Sequence, residues 1–309
     1  MAAADDRTAF RPENSAGLMF AKGQIVKALA GFYYVDTGET VYRCRARGIF
    51  KKDGVTPLVG DFVSISVQDE EEGVVDSLEP RRNAFVRPPV SNVDIFIVTV
   101  STAEPEPSLE LTDRFLVTAE ASDAEACVCI NKDDLSQAQA KRIAAVYEGL
   151  YPIVILSALT GDGIPELRAT VSGRSAAFAG ASGVGKTSLI ALLTGEDELK
   201  TGGVSEKTGR GKHTTRHVEI FKLADGTRVY DTPGFTSFEA AEAADLADAN
   251  IDALFPEFKD YLGACRYTDC THEKEPGCAV RAALENGDVK RSRYISYIKM
   301  LDTKRRMQW

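Results

Sequence analysis

The sequence predicts a multidomain α/β chain: an N-terminal OB-like β-barrel, then a parallel sheet wrapped by helices, then a small helical unit around a Cys/His knot. Three observations carry this. Five short β-rich segments punctuated by glycine lie between Gly23 and Pro80, apolar strands alternate with longer helical stretches from Asp94 onward, and three cysteines cluster with one histidine between Cys265 and Cys278.

Residues 1–19 mix Ala, Asp, Arg, Pro and Asn without apolar periodicity and read as a flexible tail. At 309 residues and 44% apolar composition the chain is long enough for two or three domains. No apolar run approaches the roughly 20 residues that cross a bilayer, and Asp5 and Asp6 stand where a signal peptide would be apolar, so a cytoplasmic protein is expected. The formal net charge of −9 argues against bulk coating of nucleic acid and leaves only local basic patches. Six cysteines in a chain of this length do not make a disulfide scaffold.

The barrel strands are read at 24–28, 32–36, 41–45, 61–67 and 73–78, broken by Gly31, Thr37-Gly38, Asp53-Gly54 and Gly60-Asp61. The domain is set at 20–83. Such a barrel can be a mere scaffold, but Arg43, Arg45, Arg47, Lys51 and Lys52 point to an RNA-facing surface.

The second domain is set at 84–238, with buried strands at 94–100, 126–130, 152–156 and 176–179. Cys127 and Cys129 share one face of the second of these. Ser108 caps a helix ending near Ala121, Ser136 caps another along 141–148, and a third spans 164–171. Segments 218–223 and 227–230, joined at Ala224-Asp225-Gly226, form a hairpin whose second strand delivers Asp231, giving about six strands.

Gly180, Ala181, Ser182, Gly183, Val184, Gly185, Lys186 and Thr187 spell a phosphate loop after a strand, and Ser188 opens the helical run behind it. Backbone N–H groups there hold α/β-phosphates, Lys186 reaches the β/γ-phosphates as a catalytic charge, and Thr187 and Asp231 take Mg²⁺ positions. Asn131, Lys132 and Asp134 form a guanine reader: the Asp134 carboxylate accepts from guanine N1–H and N2–H₂, a donor pair adenine lacks. Asn131 ties this loop to the phosphate loop, the Lys132 stem covers the base, and Ser157 and Ala158 offer an N–H to guanine O6. Asn-Lys-Asp-Asp alone could open an ordinary helix. Here it precedes the phosphate loop, with Asp231-Thr-Pro-Gly234 after both, so the domain is a circularly permuted P-loop GTPase domain.

Residues 201–215 are too glycine-rich for a regular element and read as a switch loop, with Thr214 or Thr215, preferably Thr215, as the Mg²⁺ hydroxyl. Gly234 closes the second switch motif. Phe235 follows where many signalling GTPases place a water-positioning Gln nearby, which leaves His213 as the nearest titratable group to act on the attacking water. His217 is assigned a structural role.

The last domain is set at 239–309. Cys265, Cys270, His272 and Cys278 supply three thiolates and an imidazole with no open position, a structural Zn²⁺ set. From Asp288 to Arg306 seven basic residues face two acids, interleaved with Tyr294, Ile295, Tyr297, Ile298 and Leu301: one helix face packs, and the other is either simply solvated or meets RNA phosphate.

With rotated motifs, barrel, Gly-Lys-His-Thr-Thr switch and Cys-x₄-Cys-x-His-x₅-Cys together, the chain resembles the RsgA/YjeQ family of circularly permuted, ribosome-stimulated GTPases over roughly residues 20–306. The resemblance implies slow GTP hydrolysis to GDP, accelerated by the small ribosomal subunit during its late maturation, with rRNA contact, Mg²⁺, one structural Zn²⁺, no membrane and a monomer. It gives His213 the catalytic role and departs only in having Thr187 where Ser is commoner. Two other functions share parts of this pattern: a P-loop small-molecule kinase, which has no use for a guanine reader, and a zinc RNA-binding module with a vestigial phosphate loop.

Overall fold

The computed structural model describes residues 19–85, 88–195, 218–232 and 250–307. Alternating apolar and polar side chains build five strands: β1 (Met19–Leu29), β2 (Phe32–Asp36), β3 (Val41–Ala46), β4 (Phe62–Val67) and β5 (Glu72–Leu78). They run in the order β1-β2-β3-β5-β4, and β4 returns to β1, closing a barrel. The length of β1 permits closure. Its first half pairs with β4 from Met19 opposite Val67 to Gln24 opposite Phe62, and from Gln24 onward, through a register shift between Ile25 and Lys27, it pairs with β2. Ile25, Val35, Cys44, Val63, Ile65 and Val75 fill the interior. A short helix α1 (Gly48–Lys52), which the sequence reading lacked, buries Phe50.

A two-stranded ribbon, β6 (Ala84–Phe85) and β7 (Val90–Ser91), leads into the second sheet. There β8 (Ile95–Ser101), β9 (Glu125–Asn131), β10 (Ile153–Ile155), β11 (Ser175–Ala179), β12 (Glu219–Lys222) and β13 (Arg228–Asp231) lie in the order β10-β9-β8-β11-β13-β12. All neighbours are parallel except the β12–β13 hairpin. The six expected strands are therefore present. The parallel strands all end on one edge of the sheet, which brings the loops after Ser101, Asn131, Ile155, Ala179 and Asp231 together.

Helices α2 (Leu109–Ala121) and α3 (Gln137–Tyr147) cover one face, and α4 (Ile164–Val171) and α5 (Lys186–Thr194) the other. Ser108 accepts from the Leu111 N–H and Ser136 from the Gln139 N–H, the two expected N-caps. Strand alternation sorts β9 cleanly: Ala126, Val128 and Ile130 pack under α2 and α3, while Cys127 and Cys129 face the α4/α5 side.

The last unit holds two short 3₁₀ turns, Ile251–Leu254 and Pro256–Phe258, and the helices Ala279–Asn286 and Arg291–Met307. Phe255, Phe258, Val280, Tyr297 and Met300 form its core, joined by Val117 of α2. Two residues depart from the amphipathic reading of the last helix. Ile295 is 46% exposed, whereas Arg293 is completely buried and joins the unit to the second sheet. It meets Asp113 of α2 at 2.8 Å and Glu257 at 2.7 Å, and Tyr147 of α3 donates to the same Asp113 oxygen at 2.8 Å. Burial works to lower the Arg293 pKa, but the Asp113 and Glu257 carboxylates hold it above the ordinary value.

Candidate nucleotide site and metal centre

The phosphate loop sits between β11 and α5, and its conformation is dictated by glycine. Gly185, the N-cap of α5, has φ +102°, and a Cβ there would run into the Asn131 amide. That contact is the junction of the two nucleotide motifs. Asn131, 1% exposed, donates from Nδ2 to the Val184 carbonyl at 2.8 Å, while its Oδ1 accepts from Lys132 N at 2.8 Å and Ala158 N at 3.0 Å. One side chain thus holds the phosphate loop, the Asn-Lys-Asp-Asp loop and the Ser157-Ala158 loop in a fixed relation. Ala158, expected to offer its N–H to guanine, donates that proton to Asn131 here.

Asp134 is exposed, and its Oδ1 accepts from Ser157 Oγ at 2.5 Å, which leaves the other oxygen open to a base edge. Lys132, at φ +65°, extends its ammonium to the Glu104 carbonyl across the loop that precedes α2.

Lys186 is 9% exposed, and its Nζ donates to the carbonyls of Gly180 at 2.8 Å and Ala181 at 2.7 Å. Burial pushes this ammonium down to about 8, and no carboxylate among the described residues forms an ion pair with it. Thr187 and Ser188 are exposed on the first turn of α5, where free N–H groups and the helix dipole favour an anion. Ser182 and Gly183 are also exposed on the loop, and Val184 is buried beneath it. Ala177 pairs with Tyr230, which sets Asp231 beside the strand that feeds the loop. His213, Thr214, Thr215, His217 and Gly234 lie outside the described residues.

The second centre lies in the last unit. The ligand atoms of Cys265, Cys270, His272 and Cys278 all fall within 4.8 Å of one another. A tetrahedral Zn²⁺ with Zn–S near 2.3 Å and Zn–N near 2.0–2.1 Å has S···S edges of about 3.8 Å and S···N edges of about 3.6 Å. Cys265 and Cys278 Sγ are 3.9 Å apart, and His272 Nδ1 stands 3.5 Å from the first and 3.3 Å from the second. The donor set therefore fits zinc. Amides support the sulfurs: Ala279 N–H donates to Cys265 Sγ at 3.3 Å and Arg281 N–H to Cys278 Sγ at 3.4 Å. Asp252, which sequence reading did not single out, lies 3.3 Å from His272 Nε2 and orients the ring so that Nδ1 faces the thiols. Tyr294 and Tyr297 donate to the His272 and Thr271 carbonyls and pin this knuckle to the last helix.

Several of the basic residues expected to meet RNA are paired with carboxylates. Arg43 binds Glu72, Arg47 meets Asp76 at 2.6 Å, Lys299 meets Glu110 at 2.5 Å and Arg305 meets Glu273 at 2.7 Å. Arg43 and Arg45 also flank the Phe32 ring at 5.0 and 4.8 Å, an aromatic and cationic surface on the barrel. Among the described residues no helix is long and apolar enough to cross a membrane.

Comparison with known proteins agrees with the geometry. Residues 78–241 match the RsgA GTPase family model and residues 22–75 the RsgA N-terminal domain. The chain is 44% identical over 283 residues to small ribosomal subunit biogenesis GTPase RsgA 2 of Listeria monocytogenes, covering 91% of this chain and 96% of that protein. The corresponding GTPase of Caldanaerobacter subterraneus subsp. tengcongensis is also 44% identical, over 282 residues, with 91% and 94% covered. The crystal structure of YjeQ from Thermotoga maritima superposes with TM-score 0.77 at 34% identity, over 91% of this chain and 97% of that one. YloQ, described as a circularly permuted GTPase, gives TM-score 0.71 at 33% identity, over 98% and 99%. A closed five-stranded barrel, an Asn-Lys-Asp-Asp loop that precedes the glycine-rich loop and these matches lead to one conclusion: the chain belongs to the RsgA GTPase family.

Proposed function

We propose that this protein hydrolyses GTP to GDP and phosphate, that the small ribosomal subunit accelerates the reaction, and that the cycle serves late maturation of that subunit in the cytoplasm. The observation that carries the nucleotide reading is Asn131, whose buried amide binds the phosphate loop, the loop of Lys132 and Asp134, and the Ser157-Ala158 loop into one site. Asp134 reads the guanine donors, Lys132 covers the base, and Ser157 fixes the Asp134 carboxylate. Residues 180–188 hold the phosphates, with Lys186 moving from the Gly180 and Ala181 carbonyls to the β/γ-phosphates. Mg²⁺, held by Thr187, Thr215 and Asp231, supplies charge neutralisation at the transferred phosphoryl group. His213 orients the attacking water or accepts its proton, in place of the usual Gln, and Gly234 carries the γ-phosphate contact of the second switch.

The chain divides into a tail (1–19), barrel (20–83), GTPase domain (84–238) and zinc-binding helical domain (239–309). Cys265, Cys270, His272 and Cys278 hold one structural Zn²⁺, which fixes the knuckle rather than reacting. The barrel face around Phe32, Arg43 and Arg45 meets rRNA through stacking and phosphate contact.

Displacement of a fluorescent guanine nucleotide tests the site: GTP and GDP are expected to compete strongly and ATP weakly. Tighter binding of ATP than GTP would favour the small-molecule kinase and sink this reading.

A further inference from the structure

The strand that presents Asp231 is fastened to the barrel from two sides, and neither fastening belongs to the nucleotide site. On one side β12 adds to the barrel's own β1. Lys27 faces Glu219 across an antiparallel pair with their side chains 2.9 Å apart, and Glu219 in turn faces Asp231 across the hairpin. On the other side the Tyr230 hydroxyl, fully buried, donates to the Ser91 carbonyl at 2.9 Å.

Ser91 is itself locked to the barrel. Its N–H donates to the Val59 carbonyl at 2.9 Å and its hydroxyl to Asp61 at 2.6 Å. The Asp61 carboxylate, 0% exposed, takes Nε and Nη2 of Arg81 at 2.7 Å each and the Leu58 N–H at 2.7 Å. Gly60 lies against both partners of the Tyr230 bond. A Cβ there would collide with the Ser91 carbonyl and stand 2.7 Å from the Tyr230 hydroxyl oxygen. Three segments distant in sequence, the barrel loop, the connector and β13, thus meet in direct contact at Gly60. Packed, hydrogen-bonded groups of this kind pass on displacements instead of absorbing them.

We propose that Tyr230 is a positioning residue for GTP hydrolysis: its bond to Ser91 makes the placement of Asp231 depend on the placement of the barrel, so that subunit engagement by the barrel is felt at the magnesium position. The proposal rests on the reading above that the small subunit stimulates the enzyme. Tyr230 adjoins Asp231 in sequence but points away from the nucleotide site into the connector, so it touches no reacting atom.

Tyr230→Phe in the full chain removes only the hydroxyl. GTP hydrolysis is measured at saturating GTP alone and against titrated small subunits, together with the affinity for a fluorescent GDP. The intrinsic rate, GDP affinity and half-saturating subunit concentration stay within about twofold, whereas the subunit-stimulated kcat falls by about fivefold or more, the scale of one lost buried hydrogen bond. Lys27→Met, which removes the ion pair of the other fastening, lowers the same quantity, and it decides the matter if Tyr230→Phe does not fold. An unchanged stimulated kcat in either folded variant overturns the proposal. So does an equal fall in intrinsic and stimulated rates, which would mark a distorted site rather than lost coupling. A wild-type enzyme that subunits do not stimulate sinks the functional reading and this proposal together; a stimulated wild type with an equally stimulated Tyr230→Phe sinks the proposal alone.

Discussion

Raising the pH from 7.5 to 8.5 should weaken GDP binding by about threefold through Lys186 alone. Burial holds this ammonium at about 8, below its ordinary range, and two of its three donors go to backbone carbonyls. The protonated fraction of such a group is about 0.76 at pH 7.5 and about 0.24 at pH 8.5. Phosphate binds the charged form, so affinity follows that fraction. The window lies above the terminal-phosphate titration near pH 6. The sign is fixed by linkage: a depressed lysine pKa is raised again by the arriving anion, so nucleotide binding takes up a proton, about half of one at pH 8. Titration calorimetry in two buffers of different ionisation enthalpy counts that proton directly. In the absence of nucleotide the same depression makes the unfolded chain bind more protons between pH 8 and about 10.4, so stability rises with pH across that interval. Lys186→Met removes both effects and abolishes binding without lowering the melting temperature, because it deletes a poorly compensated buried charge. GDP affinity constant over this window, with no buffer-dependent heat, would refute the reasoning.

Asp134→Asn replaces an acceptor with a side chain that can donate; GDP affinity should fall by about 1–3 kcal/mol and a xanthine nucleotide should gain on it, as competition binding would reveal. Arg293→Met leaves Asp113 and Glu257 buried without their cation, and urea unfolding should register a loss of about 3–5 kcal/mol; a loss under about 1 kcal/mol would show that the pair does not hold the last unit to α2. Cys278→Ser breaks the tetrahedral set, and metal analysis should fall from one zinc per chain to well below one, with the last unit becoming protease-sensitive.

Much of the site was legible because its residues are local in sequence and chemically specific. The phosphate loop, the Asn131-to-Asp134 reader and the four metal donors each lie within fourteen residues, and the structure gathers each set. Both helix caps, Ser108 and Ser136, were readable from a polar residue ahead of an apolar period. What stayed hidden depends on partners far away in the chain. Arg293 looks like one more surface cation in a basic helix, yet it binds Asp113 at a separation of 180 residues. Asp252 carries no signal that it faces His272. The sequence signals a first strand only over 24–28, because Met19–Gly23 shows little alternation; β4 supplies the pairing that propensity does not. Ion pairing was hidden in the same way: Glu72, Asp76, Glu110 and Glu273 pair with cations whose partners charge counting does not reveal.

A GTPase that answers to the small ribosomal subunit reveals itself in the rate of phosphate release from GTP, measured with and without purified small subunits. A slow intrinsic rate, raised at least about tenfold by small subunits and left unchanged by large subunits, is the predicted result. Equal rates in all three conditions would contradict it.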